Sequence, residues 1–123
     1  NTLSADLKMI KVTGWGSTTN NANAKQINVE FGSQSNGHTM TVSIAGFWLS
    51  ETIYIRTASN NQDRRELLSE HSNTGAAPTA PKTKLSILTA VQTDTVTITI
   101  KFSVNATSNN DVVQEGMIVE LMN

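Results

Sequence analysis

Residues 95–104 read TVTITIKFSV, and no other stretch says as much about the fold. Val96, Ile98, Ile100, Phe102 and Val104 alternate with Thr97, Thr99, Lys101 and Ser103. In an extended chain successive side chains point to opposite faces, so five apolar groups share one side and the polar ones the other. A helix would scatter the same five around its circumference. The stretch is a strand buried on one face.

The same period of two spreads outward from there. Ile27, Val29 and Phe31 fall together within 26–31, and Met40, Val42 and Ile44 within 39–44. In 48–56 Leu49, Glu51, Ile53 and Ile55 take one face, and Trp48, Ser50, Thr52, Tyr54 and Arg56 the other. Leu85 and Ile87 mark a further strand, Met117, Val119 and Leu121 the last, and residues 8–12 the first. Turn material separates them. Residues 33–38 contain Asn36-Gly37, a pair that readily takes positive φ and closes hairpins. A long loop from Ser72 to Pro81 contains Pro78 and Pro81, and 106–111 reads ATSNND. Residues 63–71, DRRELLSEH, are the one place for a short helix. The chain therefore reads as a single all-β domain over 1–123, an antiparallel β-sandwich of seven or eight strands.

Composition agrees. The 12 Ser, 17 Thr and 13 Asn make up a third of the 123 residues and cover the surface that only 15% charged residues leave. Thr suits pleated strands, and Ser and Asn suit turns. The formal net charge of −1 provides no basic stripe for a phosphate backbone, so nucleic acid is not the expected partner. No apolar run is long enough to span a bilayer as a helix. There is no cysteine, which excludes disulfides, thiolate nucleophiles and Cys-based metal sites. The start at Asn1 reads as a fragment or a processed product of something longer.

Chemistry-bearing motifs are few. Glu30, Glu51, Asp94, Glu115 and Glu120 show no pattern of a paired acid site, and Glu30 and Glu120 sit on polar strand faces. Glu51 shares a face with aliphatic residues, which calls for a cation such as Arg56, Arg64 or Arg65. His38 and His71 stand alone in loop-like sequence, without metal or triad spacing. Neither a nucleophile elbow nor a phosphate-cradling glycine loop occurs. No catalytic residue, metal or cofactor is expected. Asn105-Ala106-Thr107 fits a glycosylation sequon, a triplet that chance supplies in so Asn- and Thr-rich a chain. Arg64-Arg65 beside Asp63, Glu66 and Glu70 reads as ion pairing, within the chain or across a contact. Trp48 and Tyr54 lie opposite an aliphatic face, which points to a subunit contact made by Trp48, Glu51, Tyr54 and Arg56. In 13–23, TGWGSTTNNAN, the glycines read as a corner between the first two strands, and Trp15, Asn21 and Asn23 as candidate glycan contacts.

With the strands placed, 7–33 resembles the opening of a jelly-roll module found at the ends of bacteriophage tail fibres and tailspikes. The matching positions are Gly14, Gly16, Thr18, Asn21, Asn23, Lys25, Phe31 and Gly32. FWLSETIYIRTASNNQ (47–62) is similar to that family's Trp-led strand, through Trp48, Arg56, Thr57 and Gln62, and 98–123 resembles its closing hairpin, with Asn110-Asp111 and Gly116. The stretch 63–84 is longer and more charged than the family pattern. The resemblance implies a virion structural protein, a homotrimer packed about a threefold axis, with no catalysis in this domain and a role in assembly or in touching a host-surface glycan. A capsid-decoration protein and a stand-alone carbohydrate-binding module are the other readings.

Overall fold

The computed structural model describes residues 9–40, 43, 45–58, 60–72 and 97–122, together with the backbone of 84–90. These residues contain no helix. They form eight strands: β1 (Met9–Thr18), β2 (Lys25–Phe31), β3 (Gln34–Thr39), β4 (Gly46–Ala58), β5 (Asn61–Ser72), β6 (Lys84–Ala90), β7 (Ile100–Ala106) and β8 (Val112–Met122). A five-stranded antiparallel sheet in the order β6-β5-β4-β1-β8 faces a three-stranded antiparallel sheet in the order β3-β2-β7. The all-β sandwich expected from the period-two pattern is what forms. The pairs β1–β8 and β2–β7 nest as in a rolled hairpin, but the nesting stops there: β3 turns back on β2, and β6 lies against β5.

The strand expected over 95–104 begins only at Ile100 and runs on to Ala106; residues 97–99 are irregular, and the apolar face is half-buried at Ile98, Ile100 and Phe102 and exposed at Val104. Ile98, Ile100 and Phe102 pack on the buried cluster of Ile10, Val12, Phe31 and Tyr54. Phe102 also reaches the second cluster, Ile27, Met40, Trp48, Leu68 and Val112. Thr95 and Val96 lie outside the described residues, as do Val42, Ile44 and the loop expected after Ser72.

Three local expectations are corrected. The turn expected at Asn36-Gly37 within 33–38 lies earlier, and 34–38 are strand. Gly32, at φ 61°, begins a two-residue turn with Ser33, and Asn36-Gly37 runs inside β3 opposite Val29 and Asn28. A side chain at position 37 would collide with those of Gln26 and Asn28, so this glycine serves packing. Residues 63–71 are strand, not helix; β5 pairs with β4 through every one of them. Finally, Gly14-Trp15-Gly16 is no corner. It continues β1, with a bulge at Glu115 of β8, where Trp15 faces Gly116 and Gly16 faces Gln114. Gly14 leaves room for the Phe102 ring arriving from the other sheet. The chain changes sheets over Thr19–Ala24 instead.

The faces of β4 are also the reverse of expectation. Trp48 (1% exposed), Ser50, Thr52 and Tyr54 (0%) face the interior. The aliphatic Leu49, Ile53 and Ile55 face outward with Glu51. The Tyr54 ring stacks on Phe31 with centroids 4.0 Å apart, and the Trp48 indole donates to the Val113 carbonyl at 3.1 Å. Each such buried aromatic removes 150–250 Å² from water, roughly, which outweighs what a β-branched residue could offer there.

Facing strands can be matched through these contacts. Phe102 of β7 lies over Gly14 of β1, Phe31 of β2 over Tyr54 of β4, and His38 of β3 over Glu66 of β5. The small sheet thus covers β1, β4 and β5.

Candidate assembly surfaces and buried polar clusters

The outward face of the five-stranded sheet is unusually apolar. Phe47 is 53% exposed and Ile118 51%, and Leu49, Val113 and Met122 are exposed as well. Trp15, Ile53 and Ile55 add half-buried surface on the same side. The Trp15 ring rests against Gly116, where any larger residue would displace it. Scattered apolar residues on a surface mean little, but a contiguous patch marks a contact site. At its centre Lys11 bonds Glu51 at 2.8 Å and lies 4.0 Å from Glu120. The Glu51 hydrogen bond, with its charge, raises the Lys11 pKa above the ordinary lysine value. The cation that Glu51 calls for is therefore Lys11 of the neighbouring strand rather than an arginine. Beside it, Ile53, Arg65, Leu67 and Met122 help to line a shallow recess.

A second apolar strip runs along β8 on the side that faces the interior. Met117, Val119 and Leu121 are 39%, 42% and 60% exposed, although their partners across the ladder, Gly14, Val12 and Ile10, are buried. Val104, pointing inward from β7, is also open. Among the described residues no strand lies over β8.

Two of the four residues expected at a subunit contact do not reach the surface. Trp48 and Tyr54 are core residues of the single chain and cannot form it. Glu51 does lie on the outward face, and Arg56 sits at the inward-facing end of β4, opposite Gln62.

The glycan contacts are not assembled as a site. Asn21 and Asn23 direct their amides at Asp111, at 2.5 Å and 2.9 Å, and Ser108 N–H donates to the same carboxylate at 2.9 Å. The Lys25 ammonium, 1% exposed, donates to Asn21 Oδ1 at 2.7 Å, to the Asn21 carbonyl at 3.1 Å and to the Asn23 carbonyl at 3.2 Å. A buried charge is tolerable only when so fully bonded. Hydrogen bonds, led by that from Asn21, hold the Asp111 pKa below the ordinary aspartate value. This clip ties 19–24 to 107–111, while Trp15 faces outward on the large sheet.

The ion pairing expected among 63–70 forms within the chain, between Arg64 and Glu66, in a polar cluster between β3 and β5 whose His38 and Asn36 were not expected there. Arg64 pairs with Glu66 and donates to the Val29 carbonyl at 2.5 Å. Glu66 also takes His38 Nε2 at 2.9 Å and the Asn36 amide. His38, expected in an exposed loop, is 1% exposed. Burial raises the pKa of Tyr54 beside this group. Both parities of 63–70 carry charges, so no periodicity marks which of them turn inward.

The remaining described candidate acids, Glu30 and Glu115, do not converge on a cleft. Glu30 bonds Ser103 and pairs with Lys101 at 3.0 Å; these contacts, the Ser103 bond first, lower its pKa. Glu115 is exposed, and Asp94 lies outside the described residues. No group of three or more His, Cys, Asp or Glu among the described residues could hold a metal ion. Comparison with protein-family models, with curated proteins and with solved structures found no match to this chain.

Proposed function

We propose that this domain is a structural module of a phage virion, the trimerising head or terminal part of a tail fibre or tailspike, serving assembly and attachment to the host surface. The observation that carries the reading is the outward face of the five-stranded sheet. A chain acting alone has no use for Phe47, Leu49, Ile53, Ile55 and Ile118 gathered on one wet surface; a copy packed against it would bury them. The ion-paired Lys11, Glu51 and Glu120 then sit inside the contact, where charges fix register and partner more than affinity. The order of short motifs shared with the tail-fibre module supports the virion setting.

Light scattering on the purified chain tests it. The expected mass is three times 13.3 kDa, or a multiple of that. Phe47→Asp with Leu49→Glu, both outside the core, should lower the mass and leave the circular dichroism of the strands unchanged. A wild-type monomer at micromolar concentration would overturn the reading.

A further inference from the structure

The two sheets are out of step by one strand. Among the described residues β7 covers β1, β2 covers β4 and β3 covers β5, so the inward side of β8 is left open with the exposed Met117, Val119 and Leu121 on it. Among the described residues no strand pairs with the outer edge of β7, which lies beside that opening with the exposed Val104 at its border. Whatever fills the gap must be an extended segment one strand wide. It must place apolar side chains downward at alternate positions, and it must run antiparallel to β7 to use that edge well.

β8 itself meets all of these demands. Over 117–121 its downward residues are Met117, Val119 and Leu121, and its single charge there, Glu120, points to the other face toward Lys11. The ends of β1 and β7 and the starts of β2 and β8 are gathered at the Asp111 clip, so β7 and β8 run in opposite directions. We propose that two copies of the chain associate about a twofold axis parallel to the strands. The β8 of each lies over the β8 of the other and pairs antiparallel with the free edge of its β7. The product is a sandwich of two continuous eight-stranded sheets, in the order β3-β2-β7-β8-β1-β4-β5-β6, with β8 onward contributed by the second copy. The contact is isologous and closes on itself, and a net charge of −1 per chain offers little repulsion. It also protects a long apolar edge of the kind that otherwise recruits unwanted strands. The inference takes from the assembly reading only that the partner is a second copy; it uses a different surface and a different axis.

The absence of native cysteine makes a direct test possible. In the pair the two Val119 positions face each other across the sandwich, about 10 Å apart, the spacing of packed sheets. Val119→Cys treated with a bismaleimide of about that span should give a linked dimer at least tenfold faster than Asn105→Cys, which is exposed on the far side of β7. Val119→Lys, at a position already open in the single chain, should fold normally and halve the mass. The proposal falls if Val119→Cys links no faster than Asn105→Cys, or if Val119→Lys leaves the mass unchanged. Phe47→Asp with Leu49→Glu separates the two surfaces. Unchanged linking of Val119→Cys on that background supports the β8 pair even where the outward face fails. A trimeric wild type whose Val119→Cys does not link overturns the β8 pair alone.

Discussion

Asp111 is where a single proton matters most to the chain. Its carboxylate accepts from Asn21, Asn23 and Ser108, and the buried Lys25 adds favourable charge nearby. Its pKa is lower folded than unfolded, so the unfolded chain binds the proton more readily as the pH falls. The stability it gives is complete above the unfolded aspartate value, about 3.9, and disappears as the pH drops through the lower folded value. Urea titrations at several pH values should therefore show an acid limb that Asp111→Asn flattens, with the variant less stable than wild type at pH 7. Equal acid limbs would mean that the clip does not discriminate between the charged and neutral forms. Little of this was legible beforehand. Asn-rich sequence announces a loop, but which of its amides turns toward an acid 90 residues away depends on β1 and β8 being neighbours.

At the scale of an element, β5 is the strand whose behaviour departs furthest from its sequence. Gln62, Arg64, Glu66 and Glu70 point inward, where alternating strands normally carry aliphatic residues. Arg64→Met should cost about 3–5 kcal/mol, because Glu66 stays buried without its main cation. Replacing the trio together, with Arg64→Met, Glu66→Leu and His38→Leu, should restore at least about 2 kcal/mol of that loss, since an apolar set of similar volume has no desolvation to recover. Denaturant midpoints of the two variants decide it; a triple variant weaker than the single would show that the ion cluster contributes net stability. β2, with one clean apolar parity, is legible directly, and so is the sandwich it implies; β7 is legible as a strand, but its start at Ile100 and its only half-buried face are not. β4 is legible as a strand, but its inward and outward faces are not. Both its parities are apolar enough to be core, and only the arrival of Phe31 and Phe102 from the other sheet selects the one with Trp48 and Tyr54. The hairpin turn was misplaced for a related reason. Asn-Gly is the stronger local signal, but Gly32 adopts the positive φ and β3 needs Gly37 for clearance.

The whole molecule is a sandwich whose interior is divided. On the side of β1 and β7 the sheets meet through Ile10, Val12, Phe31, Tyr54 and Phe102; on the side of β5 and β3 the polar group of Arg64, Glu66, His38 and Asn36 lies beside the apolar Leu68 and Met40. The outer surface carries apolar groups that a uniform sandwich would have kept inside. Sequence patterning conveys how many apolar stripes exist, but not which of two stripes on one strand a second sheet will cover. The divided interior has a calorimetric consequence. Unfolding raises the heat capacity through newly wetted apolar surface and lowers it through newly wetted polar surface. Here the charged side of the interior contributes with the wrong sign, and Phe47, Leu49 and Ile118 are wet already. On a dissociated variant such as Val119→Lys combined with Leu49→Glu, scanning calorimetry should give a heat-capacity increment below the usual 12–15 cal/mol/K per residue, roughly. A value above that range would contradict it. A small increment bends the stability curve gently, so the chain should keep much the same margin against unfolding from cold to warm instead of peaking sharply at one temperature.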